Sequence, residues 1–443
     1  MPVFPAPAQN SRLGFEYFPD TQHYRLDDMQ RWLPELQAMG ASWVAFQAPL
    51  NRAIPEVFLR TFIDSGIEPV LRFNSPIASS PSLSESEMLL STYARWGIHY
   101  SVLFDQPNAR ISWPASTWAH QDLVERFLDS FIPLAQAALD AGLIPVFPPL
   151  APGGDYWDTA FLRTALGSIE RRSCYSLLDH LVLGAYARPG DRPLAWGMGG
   201  PERWPAVRPY HTPSGSQDQC GFHIYDWYLA IARAVIGEDR PLLLFGLSDG
   251  IAGSRGSSSG KSVAIHRLIA IVQSLAATSC IKARQVVRPI AGERLEPMPN
   301  QVLVGFFEIL NGDTFWFDPK GARGLFTEAL RRWTVACLGN VSSVTPKNGS
   351  VPHRPPIAHY LLLPKYDWGI AEWHLNAARP FIRKYHPAIG FSLAEAACAA
   401  RVTVVGSVQE FPEQALGELR SAGCLVERID GDGISIATQL SEK

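Results

Sequence analysis

The stretch HYSVLFDQPN (99–108) packs aromatic and β-branched residues into a short apolar run, then stops at Asp105-Gln106-Pro107-Asn108, residue types that favour turns. On its N-terminal side, Ser84 to Trp96 carries a helical period, and on its C-terminal side Gln121 to Ala141 carries another. A short buried strand between two longer amphipathic helices is the repeating unit of a parallel α/β sheet.

The same unit recurs on both sides. Before it come LGFEYF (13–18), SWVAFQAP (42–49) and EPVLRFN (68–74), separated by helical stretches over Leu26 to Gly40 and Pro55 to Gly66. After it come LIPVFPPL (143–150), HLVLGAYARP (180–189), PLLLFGLSDG (241–250) and QVLVGFFEIL (301–310). The intervening helices are expected at Thr159 to Leu178, Tyr225 to Ile236 and Ser262 to Ala277, and a last one at Leu325 to Cys337, with an irregular insertion from about 190 to Gly221.

Eight strand and helix units predict a closed (β/α)8 barrel whose site lies at the C-terminal ends of the strands. An open, doubly wound sheet is the competing architecture, but no glycine fingerprint follows the first strand.

The barrel is expected over 1–338, a Pro/Ser/Asn-rich linker over 339–357, and a small α/β domain of unassigned chemistry over 358–443.

Composition narrows the function classes. The chain has 443 residues, 47% of them hydrophobic and 18% charged, which suits a well-buried globular protein. A net charge of −3 with no Lys/Arg-rich run argues against nucleic acid and acidic membranes as partners.

No apolar run reaches the ~20 residues a membrane helix needs, and the start MPVFPAPAQNSR lacks a signal-peptide pattern, so a cytoplasmic location is expected. Cys174, Cys220, Cys280, Cys337, Cys398 and Cys424 are scattered without metal-site spacing, as are His23, His99, His180, His211 and His223; no metal or cofactor is expected. The stretch GSSSGKS (256–262) imitates a phosphate loop but has three residues between its glycines where four are required.

Asp105-Gln106-Pro107-Asn108 with Trp113 close behind, Arg72 on the third strand, Tyr186 ending the sixth, and a Pro-led seventh strand after Gly221-Phe222 and Asp226-Trp227-Tyr228 together resemble the clan A glycoside hydrolases. That likeness spans roughly 13–335 through short motifs, and it implies an acid/base glutamate ending strand four and a nucleophilic glutamate ending strand seven. Carried over residue by residue, those positions hold Gln106 and Gly246. An amide cannot donate and recover a proton near neutral pH, and glycine has no side chain with which to attack an anomeric carbon.

The expectation is therefore a degenerate, carbohydrate-binding or scaffold barrel. Gln106, Asn108, Arg72, Tyr186, Glu16, Trp113 and Trp118 are its candidate binding residues, and the C-terminal domain is a second surface, for a protein partner not identified.

The alternative is an active glycosidase with relocated carboxylates, Asp105 and Asp249, either of which has an ordinary loop-aspartate role as its rival reading. Asp20 is a further acidic neighbour, and Glu16 divides between pocket acid and partner of Arg72. Trp113, Trp118, Trp157, Trp196 and Trp204 fall in loops on the active face, where exposed indoles would stack on sugars; most Trp residues are instead packing residues. A barrel whose mouth is filled by the insertion 190–220 would be purely structural.

Overall fold

The computed structural model describes residues 4–49, 51–77, 83–118, 120–248, 258–276, 295–308, 323–338, 357–364, 366 and 372–441. They fall into two compact units, Met1–Ser343 and Val344–Lys443.

The first unit is a closed barrel of parallel strands in sequence order: β1 (Leu13–Glu16), β2 (Trp43–Gln47), β3 (Glu68–Arg72), β4 (Tyr100–Val102), β5 (Ile144–Leu150), β6 (Val182–Tyr186), β7 (Leu242–Phe245) and β8 (Val302–Glu308), with β8 pairing back onto β1. This closure excludes the open doubly wound alternative. Strands β4 and β7 are shorter than the apolar runs that announce them: β4 stops at Val102 with Leu103 and Phe104 buried beyond it, and β7 stops at Phe245, where Gly246 turns left-handed. The helix expected over Thr159–Leu178 is broken into Asp158–Arg171 and Tyr175–His180, with Ser173 between them in the left-handed region at φ 58°.

Alternation along the strands fills the interior. Trp43, Val70, Tyr100, Val102, Val146, Val182, Leu243, Phe245, Val304 and Phe306 form one inward cluster, while the opposite faces pack on the surrounding helices. Gly14 faces this cluster, where an added Cβ would lie 2.5 Å from the Phe306 ring. The helix Leu123–Ala141 buries one apolar stripe and ends at Gly142, left-handed at φ 95°.

The N-terminal segment closes the lower end. Tyr100 donates its hydroxyl to Pro5 O (2.6 Å), Trp43 Nε1 donates to Asn10 Oδ1 (2.9 Å), and Arg12 donates to Met298 O, Pro299 O and Asn300 Oδ1.

The second unit is a parallel four-stranded sheet in the order β10 (Ala388–Gly390), β9 (Ile357–Leu362), β11 (Ala399–Val405), β12 (Leu425–Ile429). Two apolar clusters cover its faces. The predicted linker over 339–357 lies outside the described residues except for Ile357, which opens β9.

Among the described residues, no helix is long and apolar enough to cross a membrane.

Candidate functional site

Arg72 ends β3 inside the barrel mouth, at the level where Glu16 ends β1 and Tyr186 ends β6. Its Nη1 bonds Glu16 Oε2 at 2.5 Å, and its Nη2 reaches Tyr186 OH at 2.8 Å and Asp105 Oδ1 at 3.4 Å. Tyr186 in turn donates its hydroxyl to Asp105 Oδ1 at 2.7 Å. One guanidinium thus spans two carboxylates, and a phenol closes the ring.

The guanidinium also lies over the Phe245 ring, 4.9 Å from its centroid. Burial disfavours the Arg72 cation, but Tyr186, Glu16 and Asp105 outweigh it and raise its pKa, so Arg72 stays charged. Burial, against the pull of Arg72, raises the Tyr186 hydroxyl far out of reach of ionisation.

The side chains of Arg72 and Glu16 are 11% and 15% exposed, and that of Asp105 is 25% exposed, so Asp105 is the more exposed of the two carboxylates on Arg72.

Above this cluster lies a cavity of about 290 Å³ lined by Glu16, Tyr17, Phe18, Pro19, Gln47, Arg72, Asn74, Tyr186, Arg188 and Glu308. The Phe18 ring is held in place, stacked on His23 at 3.8 Å and edge-on to Trp32. Asn74 donates its amide to Gln47 Oε1 at 3.1 Å. Arg188 lies across the Tyr186 ring at 4.2 Å.

The two positions singled out by the strand ends are unusual in backbone as well as in residue type. Gly246 has φ 69°, and a Cβ there would meet Arg188 Cγ at 3.2 Å and Tyr186 Cδ1 at 3.3 Å. A larger residue would be both strained and crowded. Its N–H donates to Glu16 Oε1 at 3.3 Å, so the β1 carboxylate rests against the exit of β7.

Gln106 is also left-handed, at φ 45°, with its N–H on Pro149 O and its carbonyl accepting from Ser112 Oγ. Its side-chain amide points back to Asp105 Oδ2 at 3.5 Å.

Sequence reading and structure bring Arg72, Tyr186, Glu16, Asp105 and Gln106 together. Asn108 is fully buried: it donates to Ala151 O and Tyr156 O and accepts from Ala151 N, fastening the β4 exit loop to the β5 exit loop. Trp113 is buried and donates to Pro107 O, and Trp118 is half-buried against the main core. Trp196 stacks under Arg192 and bonds Asp218, and Trp204 bonds Met198 O.

Asp20 caps the turn to Gln22 and His23. Asp249 lies outside the described residues. Phe18, Gln47, Asn74, Arg188 and Glu308 were missed; the period-2 alternation places Gln47 and Glu308 inward at strand ends, whereas the loop residues carry no such signal. Among the described residues no group of three or more His, Cys, Asp or Glu could hold a metal ion; His99 is bonded to Glu68, and His223 to Tyr225 and Asp226.

The strand pairing and this polar ring define a (β/α)8 barrel protein with a partly neutralised acidic site at its mouth. No family model matches the chain, and no curated protein matches it.

Solved structures similar to it include a monomeric beta-xylosidase from Caulobacter crescentus CB15, at 12% identity and TM-score 0.43 over 74% of this chain and 68% of that one. A GH39 enzyme from Xanthomonas axonopodis pv. citri follows at 13% and 0.42, over 74% and 67%, and a family 51 alpha-L-arabinofuranosidase from Bifidobacterium longum at 13% and 0.35, over 69% of each.

Proposed function

We propose that the barrel binds a carbohydrate unit in its mouth and does not hydrolyse glycosidic bonds. The observation that carries this reading is the single Arg72 guanidinium bonded to both Glu16 and Asp105.

A general acid must hold a proton to donate, and a nucleophile must be free to attack. Carboxylates bonded to a buried, permanent cation are held in a fixed geometry, which suits acceptors of hydroxyl hydrogens better than reagents. Gln106 and Gly246 supply neither missing role, and Arg188 lies over Gly246.

The cavity has the chemistry a sugar ring asks for: carboxylate acceptors in Glu16 and Glu308, amides in Gln47 and Asn74, and an aromatic face in Phe18, with Asp105 behind them, bonded to the lining residues Arg72 and Tyr186. Its volume, about 290 Å³, is near the lower bound for small-molecule sites. In this reading the C-terminal unit contributes a second interaction surface; Val408 and Leu425 are among its exposed apolar residues.

The test pairs turnover with binding. Nitrophenyl glycosides covering the common pentoses and hexoses are expected to show no enzyme-dependent release, while calorimetric titration with the corresponding free sugars gives heat that Asp105→Asn reduces at least tenfold. Release abolished by both Asp105→Asn and Asp249→Asn would instead establish the relocated-carboxylate glycosidase. Neither heat nor release across the panel would leave a structural barrel.

A further inference from the structure

The loops at the β4, β5 and β6 exits carry an aromatic pair that the barrel core does not use. In the insertion after β6, Arg208 and His211 exchange both backbone hydrogen bonds at 3.0 Å, forming a tight two-residue hairpin with Tyr210 at its tip. Tyr210 is left-handed at φ 62°, a conformation uncommon for a residue with a large side chain, and it is 62% exposed.

Its hydroxyl accepts from the backbone N–H of Trp157 at 2.9 Å, and its ring sits 5.5 Å from the Trp157 ring at 52°. Thr212 anchors the base of the hairpin to Asp218, which also holds Arg192, Trp196 Nε1 and the Cys220 N–H.

The hydroxyl alone would satisfy the Trp157 N–H. A ring that stays 62% exposed on a strained tip gains little from burial, so its worth lies in what it presents. Bonded loops connect it to the mouth: Asp105 leads directly into the β4 exit loop, whose Arg110 N–H bonds Asp155, two residues before Trp157.

We propose that Trp157 and Tyr210 form a rigid stacking platform for further units of an oligosaccharide whose first unit occupies the cavity beside Asp105. This rests on the carbohydrate reading of the cavity and adds that the ligand is a chain of sugars. The Tyr210 ring, tied at its hydroxyl to the Trp157 N–H and in tilted contact with the Trp157 ring, loses little freedom on binding, which is what a stacking subsite needs. Because the insertion is fixed through buried Asp218, the platform is formed before the ligand arrives.

The experiment titrates cello- and xylo-oligosaccharides of one to six units into the full chain and its variants, following heat and intrinsic fluorescence. Wild type is expected to bind the longer members about tenfold more tightly than the monosaccharides, the size of one or two stacking contacts. Tyr210→Asn, which tolerates the left-handed backbone, and Trp157→Ala remove that gain and leave monosaccharide binding within twofold. Tyr210→Phe keeps the ring, loses the hydroxyl and retains the gain; were the hydroxyl bond alone at work, it would behave like Tyr210→Asn.

Melting curves for each variant identify any that fail to fold. Length-independent binding by wild type overturns the platform and leaves the cavity reading standing. No binding of any member overturns both for these two sugar families, and the free-sugar panel then decides whether the cavity reading survives.

Discussion

Two carboxylate networks, one half-buried at the mouth and one fully buried, stand in the same barrel and are balanced by opposite means. At the mouth, Glu16 and Asp105 face a cation, Arg72. At the start of the helix that follows β5, Asp158 is fully buried and meets only neutral donors: the Gly153 N–H at 3.0 Å, Gln219 Nε2 at 2.5 Å and Tyr228 OH at 3.2 Å.

The consequence shows in protonation. Burial pushes the Asp158 carboxyl up to about 6 despite its three hydrogen bonds, whereas the Arg72 cation is kept charged by its anionic partners. Neutral dipoles suffice to place a carboxyl that joins the β5 loop to the insertion and the helix Ile224–Ile236. At the mouth, a buried cation holds two carboxylates in place beside an open cavity.

Removing the cation tests the first half most severely. Arg72→Ala leaves Glu16, Asp105 and Tyr186 facing one another without compensation, and breaking a buried pair in this way costs about 3–5 kcal/mol. Chemical denaturation should show that loss and titration should show sugar binding abolished; Arg72→Lys, keeping the charge but not the two-ended reach, should recover part of the stability and less of the affinity. Full stability in Arg72→Ala would mean that the carboxylates are not held by Arg72.

The second half is tested by pH. Asp158 is protonated in the folded chain up to about pH 6 and in the unfolded chain only to about 3.8. The folded state is therefore favoured at low pH, and stability is lost as pH rises from near 4 through 6, by about 3 kcal/mol when complete. Asp158→Asn keeps an oxygen acceptor without the charge and should flatten this descent, seen as a smaller fall in melting temperature between pH 5 and 7. An unchanged slope would place the pH dependence elsewhere.

The comparison also explains what was legible. Barrel, strand order and most helix limits follow from alternation of apolar runs, which the sequence carries locally. Arg72 and Tyr186 were legible through the family resemblance of their strand ends, and Glu16 through its place on the first strand, where it divided between pocket acid and partner of Arg72.

Asn108 and Trp113 were not, since nothing in DQPN distinguishes an amide facing a ligand from one bridging to Ala151 and Tyr156. The Asp158 network escaped entirely: its members lie 61 and 70 positions apart along the chain, and no local period reports such a meeting. Tyr210 escaped because its left-handed backbone and its bond to Trp157 arise only from the folded insertion.

The smallest effect concerns whether the mouth could be returned to a hydrolase by residue type alone. Gly246→Ala adds one carbon at φ 69°, against Arg188 and Tyr186 at 3.2–3.3 Å, and should cost about 1–3 kcal/mol in denaturation. Gly246→Glu carries the same strain and must displace Arg188 besides, so the double variant Gln106→Glu, Gly246→Glu should gain no turnover on nitrophenyl glycosides even where it folds. Two glutamates catalyse only when held about 5–5.5 Å apart across the bond for retention, and at this exit the space beside Gly246 is already filled by Arg188 packed on Tyr186. Turnover in the double variant would show that the backbone relaxes on substitution, and it would make residue identity, rather than the left-handed turn, the feature that separates this mouth from a catalytic one.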